Sequence, residues 1–289
     1  MHLDSAGLVG QSASTMILYR SMDRPALDAA YNNSAAVADS GRILADWQAR
    51  SDRLAAQRPK YLDLRYGDAE RNRIDLFVEK AGAPVLVFIH GGYWQMRQKE
   101  LFRFLAQGPL AREVNVALVG YTLAPQKLLD GIIAEVRAAV GWLVSHVGEY
   151  GGDPERLYVS GWSAGGHLTA TSLSVPGVRG GLAISGIFDL EPIRLCYLND
   201  KLRLDQDAAR RNSPLFSLGT APAPLVVAYG ADELPELQRQ SEEFASARAR
   251  AGLPGRVLSL PGHNHFTVLE ELASPDGTLT KEVCELIAR

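Results

Sequence analysis

The sequence predicts an α/β fold in which a mostly parallel central sheet carries helices on both faces. Strand-like runs at 83–89, 114–121 and 224–229 alternate with longer helical patterns, and this alternation is typical of a parallel sheet. The runs are predominantly apolar, as expected of strands that are covered on both sides. The chain has 289 residues, 46% of them hydrophobic, so it can bury a large core and we expect a single domain over 1–289.

The first half of the chain begins with a helical lead-in of mixed polarity at about 20–56. Strands at 61–66 and 73–79 are expected to pair as a hairpin, and the buried strand at 83–89 follows. A helix over 99–112, a strand over 114–121 and a long helix from 131 to about 147 continue the alternation. The glycines and proline at 151–154 are expected to close that helix.

The second half keeps the same rhythm with one interruption. A strand at 156–160, a helix after residue 163 and a strand at 181–187 lead to the stretch 189–217, which is rich in charged and aromatic residues. We expect this stretch to be a small cap insertion that covers the functional site of the protein. A strand at 224–229, a helix that Pro235 opens, a strand near 258–260 and a helix over 267–272 follow.

Composition excludes several classes of function. The net charge is −3 and no basic block interrupts the chain, so nucleic acid is not an expected partner. No apolar stretch approaches 18 residues and the first residues do not resemble a signal peptide, so we expect a cytoplasmic protein without membrane contact. Two cysteines do not make a disulfide framework. A homodimer is left open.

A serine lies at the centre of Gly161-Trp162-Ser163-Ala164-Gly165, between an apolar strand and a helix-like stretch. This G-x-S-x-G pattern is the signature of a nucleophile elbow, a sharp turn that exposes the serine hydroxyl. The glycines leave room for the tight turn, because a Cβ atom at either position would collide with the neighbouring backbone. Ser163 is therefore the candidate nucleophile.

A glycine loop follows the strand at 83–89 directly and reads His90-Gly91-Gly92-Tyr93-Trp94. Backbone N–H groups of such a loop can stabilise the negative charge that develops on a carbonyl oxygen during acyl transfer. We assign this oxyanion hole to the amides of Gly91, Gly92 and Ala164. The elbow and this loop occur together in the α/β-hydrolase fold.

A serine nucleophile needs a base and an acid, which follow it in this fold as acid and then histidine. Gly230-Ala231-Asp232-Glu233 ends the strand at 224–229 and offers two acids. The spacing from the glycine favours Glu233, and Asp232 is the alternative.

The candidate base lies in a loop that contains both His263 and His265. We choose His265 because it directly precedes Phe266 and a helix-like stretch, and we expect His90 to brace the oxyanion loop. No metal is expected, because the two histidines lack a matching cluster of ligands at metal-binding spacing. No other cofactor is implied, since a neighbouring base activates the nucleophile.

The chain resembles the serine-type arylformamidases, or kynurenine formamidases, of the α/β-hydrolase fold. The segments that carry this resemblance run nearly end to end: Met22-Asp23, 27–33, 90–95, 163–168, 185–192, Asn212-Ser213-Pro214, Glu236, Arg239-Gln240-Ser241 and His265-Phe266. In that family the acid stands eight residues before the serine of the last RQS run, which again indicates Glu233. Two departures are a glutamate where aspartate is commoner and Trp162 where histidine often precedes the nucleophile.

The resemblance implies hydrolysis of an N-formyl arylamine, with N-formylkynurenine giving kynurenine and formate through a Ser-His-Glu triad and a formyl-enzyme. An aromatic leaving-group pocket is expected from five rings: Tyr93, Trp94, Trp162, Phe188 and Phe266. The residues alone also allow a carboxylesterase of short-chain esters or an amidase for another N-acyl arylamine. A binding module with a lapsed triad would lack one of the three residues, and all three are present.

Overall fold

The fold is built around an eight-stranded sheet, seen in a computed structural model that describes residues 16–219 and 223–289. The strands are β1 (Leu64–Arg65), β2 (Arg73–Phe77), β3 (Ala83–Ile89), β4 (Asn115–Val119), β5 (Gly152–Trp162), β6 (Val178–Ile184), β7 (Leu225–Gly230) and β8 (Gly255–Leu260). Their order is β1-β2-β4-β3-β5-β6-β7-β8, with β3 to β8 parallel and the β1 and β2 edge antiparallel. The predicted α/β class and mostly parallel sheet are confirmed.

The helices pack around this sheet and fill the connections between strands. They are α1 (Arg24–Ala30), α2 (Asn33–Ala36), α3 (Ser40–Gln57), α4 (Gln107–Leu110), α5 (Leu129–His146), α6 (Ala164–Ser172), α7 (Glu191–Leu195), α8 (Asn199–Leu202), α9 (Gln206–Arg211), α10 (Pro235–Arg250), α11 (Glu270–Ala273) and α12 (Thr278–Ile287). Short 3-10 helices cover Lys99–Ala106, Val147–Tyr150, Pro214–Phe216 and Thr267–Leu269. Within the described ranges, no helix is both long and apolar enough to cross a membrane.

The sheet places the site through the order of its strands. β4 lies on one side of β3 and β5 on the other, so the chain changes direction across the sheet at β3. A crevice opens at such a switch point, at the carboxyl ends of the strands. The glycine loop follows β3 and the elbow follows β5, and Ile89 lies beside Gly161 in the register of these two strands. Topology therefore brings the two motifs together.

Three stretches differ most from the predicted elements, and β6 at 178–184 also begins three residues before the strand predicted at 181–187. The lead-in is three helices, because Asn32 caps a new helix by accepting from the amide of Ala35 at 3.2 Å. The stretch 99–112 is a 3-10 helix followed by the short α4, in which Pro109 lacks an amide hydrogen for helical bonding. Gly151, with φ 96°, closes the preceding helical segment as predicted, but Gly152 already belongs to β5, because it pairs with Ala83 of β3.

The lead-in and the stretch 189–217 pack against one another near the glycine loop. Leu27 and Tyr31 of the lead-in share a hydrophobic cluster with Ile193 and Leu198 and with Trp94 of the loop. The amide of Tyr197 donates to the Asp28 carboxylate at 2.8 Å, which ties the two segments together. These segments thus form one wall beside the carboxyl ends of the strands.

Candidate active site

The serine of the elbow lies between β5 and α6 in a conformation that few L-residues adopt, with φ 59° and ψ −119°. Its amide donates to the carbonyl of Ile184 at 2.8 Å, which ties the turn to β6. The elbow also lies very close to β3, because a Cβ atom at Gly165 would come within 2.0 Å of the Ile89 oxygen. A Cβ atom at Gly161 would lie 2.3 Å from the Gly165 oxygen. The glycines are therefore required by backbone contacts on both sides of Ser163.

The glycine loop lies directly against the serine. A Cβ atom at Gly91 would lie 3.0 Å from that of Ser163, and Gly92 has φ 115°. Among the residues that the structure describes, none accepts a hydrogen bond from the amides of Gly91, Gly92 or Ala164. Ala164 also begins α6, where the helix dipole favours negative charge. These three N–H groups are free to bind an oxygen that carries developing charge.

His90 holds the backbone of Gly91, the residue that follows it in this loop. Its Nδ1–H donates to the Gly91 carbonyl at 2.8 Å, and its ring stacks on Tyr121 with centroids 4.2 Å apart. The Tyr121 hydroxyl donates in turn to the His90 carbonyl at 2.9 Å. Complete burial lowers the pKa of His90 to about 3, so the ring is neutral at physiological pH. The expected brace of the loop by His90 corresponds to these contacts.

A buried carboxylate and a buried histidine meet next to the elbow. Nδ1–H of His265 donates to Oε2 of Glu233 at 2.9 Å. Oε1 of the same carboxylate accepts from the Ser185 hydroxyl and from the amide of Gly230, the latter at 2.8 Å. A carboxylate only accepts here, so the proton of the His265 ring is on Nδ1 and Nε2 keeps its lone pair. This geometry fixes the orientation of the His265 ring and leaves Nε2 able to accept a proton.

Asp232 and His263, the alternative acid and the second histidine, take no part in this hydrogen bond. The Asp232 side chain is exposed and makes no hydrogen bond to the described part of the chain. His263 donates from Nδ1 to the Thr267 carbonyl at 3.1 Å, and its Nε2 lies 3.3 Å from Glu271. Of the two acids and two histidines, the structure therefore pairs Glu233 with His265.

Of the five aromatic residues considered for substrate contact, three line the pocket that contains the Ser163 and His265 side chains. They are Tyr93, Trp162 and Phe266. Trp94 and Phe188 are fully buried outside this pocket. Trp94 packs edge-on against His167 with ring centroids 5.0 Å apart, and Phe188 stacks on Phe244 at 4.1 Å. The expected substrate contact of Trp94 and Phe188 therefore has to be corrected, because neither ring lines this pocket.

Trp162 also supports the histidine. Its Nε1–H donates to the His265 carbonyl at 2.7 Å, and the two ring centroids are 4.7 Å apart. The ring of Trp47 from the lead-in packs edge-on against Trp162 at 5.9 Å. The tryptophan that departs from the family pattern therefore holds the histidine loop in position.

The pocket also contains residues that sequence reasoning missed, above all Asn33, Arg97 and Tyr197. Asn33 donates from Nδ2 to the Tyr93 hydroxyl at 2.9 Å, and that hydroxyl donates to the Tyr31 carbonyl at 2.6 Å. Because the hydroxyl proton is used on a carbonyl, the Asn33 amide must present its NH₂ group to Tyr93. Its Oδ1 is buried and has no partner among the described residues. The 27–33 motif was the only sequence signal for this residue.

Known proteins resemble this chain over most of its length. The chain is 32% identical over 244 residues to the kynurenine formamidase of Danio rerio. This match covers 79% of this chain and 82% of that protein. The chain belongs to the kynurenine formamidase family. A family model described as BD-FAE also matches residues 75–175, a range that includes both the glycine loop and the elbow.

Solved structures place this kynurenine formamidase family member among the α/β-hydrolases. A structure from Silicibacter sp., described as a thioesterase candidate, matches with a TM-score of 0.79 and 29% identity, over 89% of this chain and 98% of that one. EstE1, a thermophilic carboxylesterase from a metagenomic library, matches with a TM-score of 0.68 and 20% identity, over 86% of this chain and 96% of that one. The predicted α/β-hydrolase fold is confirmed, and the protein is a hydrolase of the formamidase and esterase type.

Proposed function

We propose that this enzyme hydrolyses N-formyl arylamines, with N-formylkynurenine as the leading substrate and kynurenine and formate as products. The observation that carries the proposal is the 2.9 Å hydrogen bond to Glu233 from His265, which lines the same pocket as Ser163. The proposal is also supported by the amides of Gly91, Gly92 and Ala164 next to that serine, which are unpaired within the described part of the chain, and by the family to which the chain belongs. The catalytic residues proposed are Ser163, His265 and Glu233.

The first step is attack by the serine on the formyl carbon. Nε2 of His265 takes the proton from the Ser163 hydroxyl while Oγ forms the bond to carbon. Glu233 holds the ring in the tautomer that leaves Nε2 free and stabilises the imidazolium that results. The amides of Gly91, Gly92 and Ala164 donate to the oxygen of the tetrahedral intermediate, where they contribute most because charge develops there.

Collapse of this intermediate breaks the bond between carbon and nitrogen. His265 returns its proton to the leaving arylamine nitrogen, and a formyl ester of Ser163 is left. Water then attacks the ester carbon and gives a proton to Nε2, and the second collapse releases formate and returns the proton to Oγ. The formyl group is the smallest acyl group, so the acyl side needs little space. The rings of Tyr93, Trp162 and Phe266 would face the aromatic leaving group.

The test compares kcat/KM for N-formylkynurenine with that for p-nitrophenyl acetate, with a chelator present. We expect at least about 10⁴ M⁻¹s⁻¹ for the formamide, a value in the usual range for native substrates. Ser163→Ala should abolish both activities. Ser174→Ala is the matched control, because Ser174 is exposed and lies outside the pocket. A Ser163→Ala variant that keeps formamidase activity would refute the mechanism.

A carboxylesterase or thioesterase is the second candidate. The Silicibacter structure at 29% identity, described as a thioesterase candidate, favours it. The same nucleophile and oxyanion donors serve esters, which have a better leaving group than amides. Turnover of short-chain esters without turnover of aryl formamides would establish this alternative, and a substantial rate for another N-acyl arylamine alone would indicate a different amidase.

A further inference from the structure

One cation in the pocket has no counterion within the described part of the chain. Arg97 is half-buried and lines the same pocket as Ser163 and His265. None of its guanidinium nitrogens donates to a described residue, and no described carboxylate lies within 4.0 Å of it. Nε is completely enclosed without an acceptor among those residues.

The surroundings of Arg97 are aromatic rather than acidic. The guanidinium carbon lies 5.7 Å from the ring centroid of Trp162 and 5.8 Å from that of Phe266. Burial lowers the pKa of Arg97 to about 10, and no neighbouring charge offsets the effect. The side chain therefore still carries its positive charge at neutral pH, and its removal from water is only partly compensated by the rings.

The backbone of Arg97 holds its side chain in place. Arg97 has φ 72°, and its carbonyl accepts from the Arg71 guanidinium at 2.6 Å. Its Cγ is close to Gly92, since a Cβ atom there would lie 3.1 Å away. The residue is thus fixed at the end of the oxyanion loop, on the rim of the pocket and next to two of its aromatic rings.

We propose that Arg97 binds a carboxylate of the substrate and makes the enzyme selective for aryl substrates that carry a carboxylate. This inference rests on the proposed function, because N-formylkynurenine carries a carboxylate on the leaving-group side while simple aryl formamides and esters do not. A planar guanidinium binds a carboxylate with two parallel hydrogen bonds, and a partly dry pocket strengthens them. The carboxylate would accept from the two terminal nitrogens of Arg97, which donate to no described residue.

The first experiment compares two formamides, N-formylkynurenine and formanilide, which lacks the carboxylate. We expect Arg97→Met to reduce the ratio of their kcat/KM values by about 10- to 100-fold, the range for a charged hydrogen bond. Arg97→Lys should restore part of the ratio, because it keeps the charge but loses the planar fork. Arg53→Met is the matched control, because it removes the same charge from an exposed position outside the pocket. A ratio that stays within threefold of wild type in folded Arg97→Met would overturn the proposal.

The second experiment does not require formamidase activity. The hydrolysis of p-nitrophenyl acetate is inhibited with 4-oxo-4-phenylbutanoate or with its neutral amide, which share one aryl ketone skeleton. We expect the carboxylate to bind more tightly, and Arg97→Met to raise its inhibition constant about 10-fold or more while that of the amide changes little. Equal inhibition by the two compounds in wild type would refute the role of Arg97 even if N-formylkynurenine is hydrolysed. Selective inhibition without formamide turnover would support Arg97 and refute the proposed substrate.

Discussion

Two buried histidines should make the protein lose stability in mild acid. His90 lies under the glycine loop, and His167 lies on α6, where its Nε2–H donates to the Asn212 carbonyl at 2.8 Å. Burial lowers the pKa of His90 to about 3 and that of His167 to about 4, from an ordinary value of 6.5. The unfolded chain therefore binds protons on both rings at a pH where the folded protein does not.

The sign and size of the effect follow from proton linkage. A histidine with a lowered folded pKa contributes its stability above pH 6.5, and this contribution is lost as the pH falls towards the folded value. Lowering the pH from 7 to 5 should reduce the free energy of unfolding by about 2 kcal/mol for each ring. Because both folded values lie below 5, the loss at pH 5 depends little on their difference.

The assay is urea unfolding followed by tryptophan fluorescence at pH 7, 6 and 5. His90→Asn and His167→Asn should each make the loss between pH 7 and 5 smaller by about 2 kcal/mol, and the double variant by about 4 kcal/mol. Only the difference between two pH values is compared, so the baseline effect of each substitution cancels. His146→Asn is the control, since that ring stacks on Trp142 and is only partly buried. Single variants that lose as much stability as wild type would refute the reasoning.

Two further predictions concern the proposed triad acid, Glu233, and the elbow. Glu233→Gln should lower kcat about 10⁴-fold, because a neutral amide cannot hold the base in its working tautomer, whereas Asp232→Asn should change it less than threefold; the reverse ranking in steady-state kinetics would reassign the acid. Gly165→Ala should destabilise the protein by about 3 kcal/mol or more in urea unfolding, because the new methyl group would lie 2.0 Å from the Ile89 oxygen. Gly141→Ala should instead stabilise it by about 0.5–1 kcal/mol, because that helical position has no atom within 4 Å of the new Cβ. Equal effects of the two alanines would contradict the packing argument.

Several features were readable from the sequence because each one is encoded in neighbouring residues. The elbow at Ser163 needs glycines two positions away on either side, and the loop of Gly91 and Gly92 directly follows a buried strand. The alternation of strands and helices also predicts the parallel sheet, since each strand run is apolar on both faces. The helix boundaries were less accurate at the lead-in and at 99–112, where caps and a proline decide the local geometry.

Contacts between distant parts of the chain were not readable in the same way. Tyr93, Trp162 and Phe266 resemble Trp94 and Phe188 as residue types, yet only the first three line the pocket. The difference comes from neighbours far along the chain, such as Phe244, which covers Phe188. Whether a buried aromatic ring borders the pocket is decided by which elements pack on it, and a local sequence pattern does not specify those elements.

The sequence by itself therefore determined the fold class, the turn that presents Ser163 and the glycine loop beside it, because short-range backbone geometry dictates these features. The sequence favoured Glu233 and kept Asp232 as the alternative, and the tertiary structure decided between them, because Glu233 contacts His265 while Asp232 is exposed to solvent. It also decided that Asn33 and Arg97 enter the pocket. These outcomes depend on packing between segments far apart in the chain, where small differences in position determine which polar atom finds a partner.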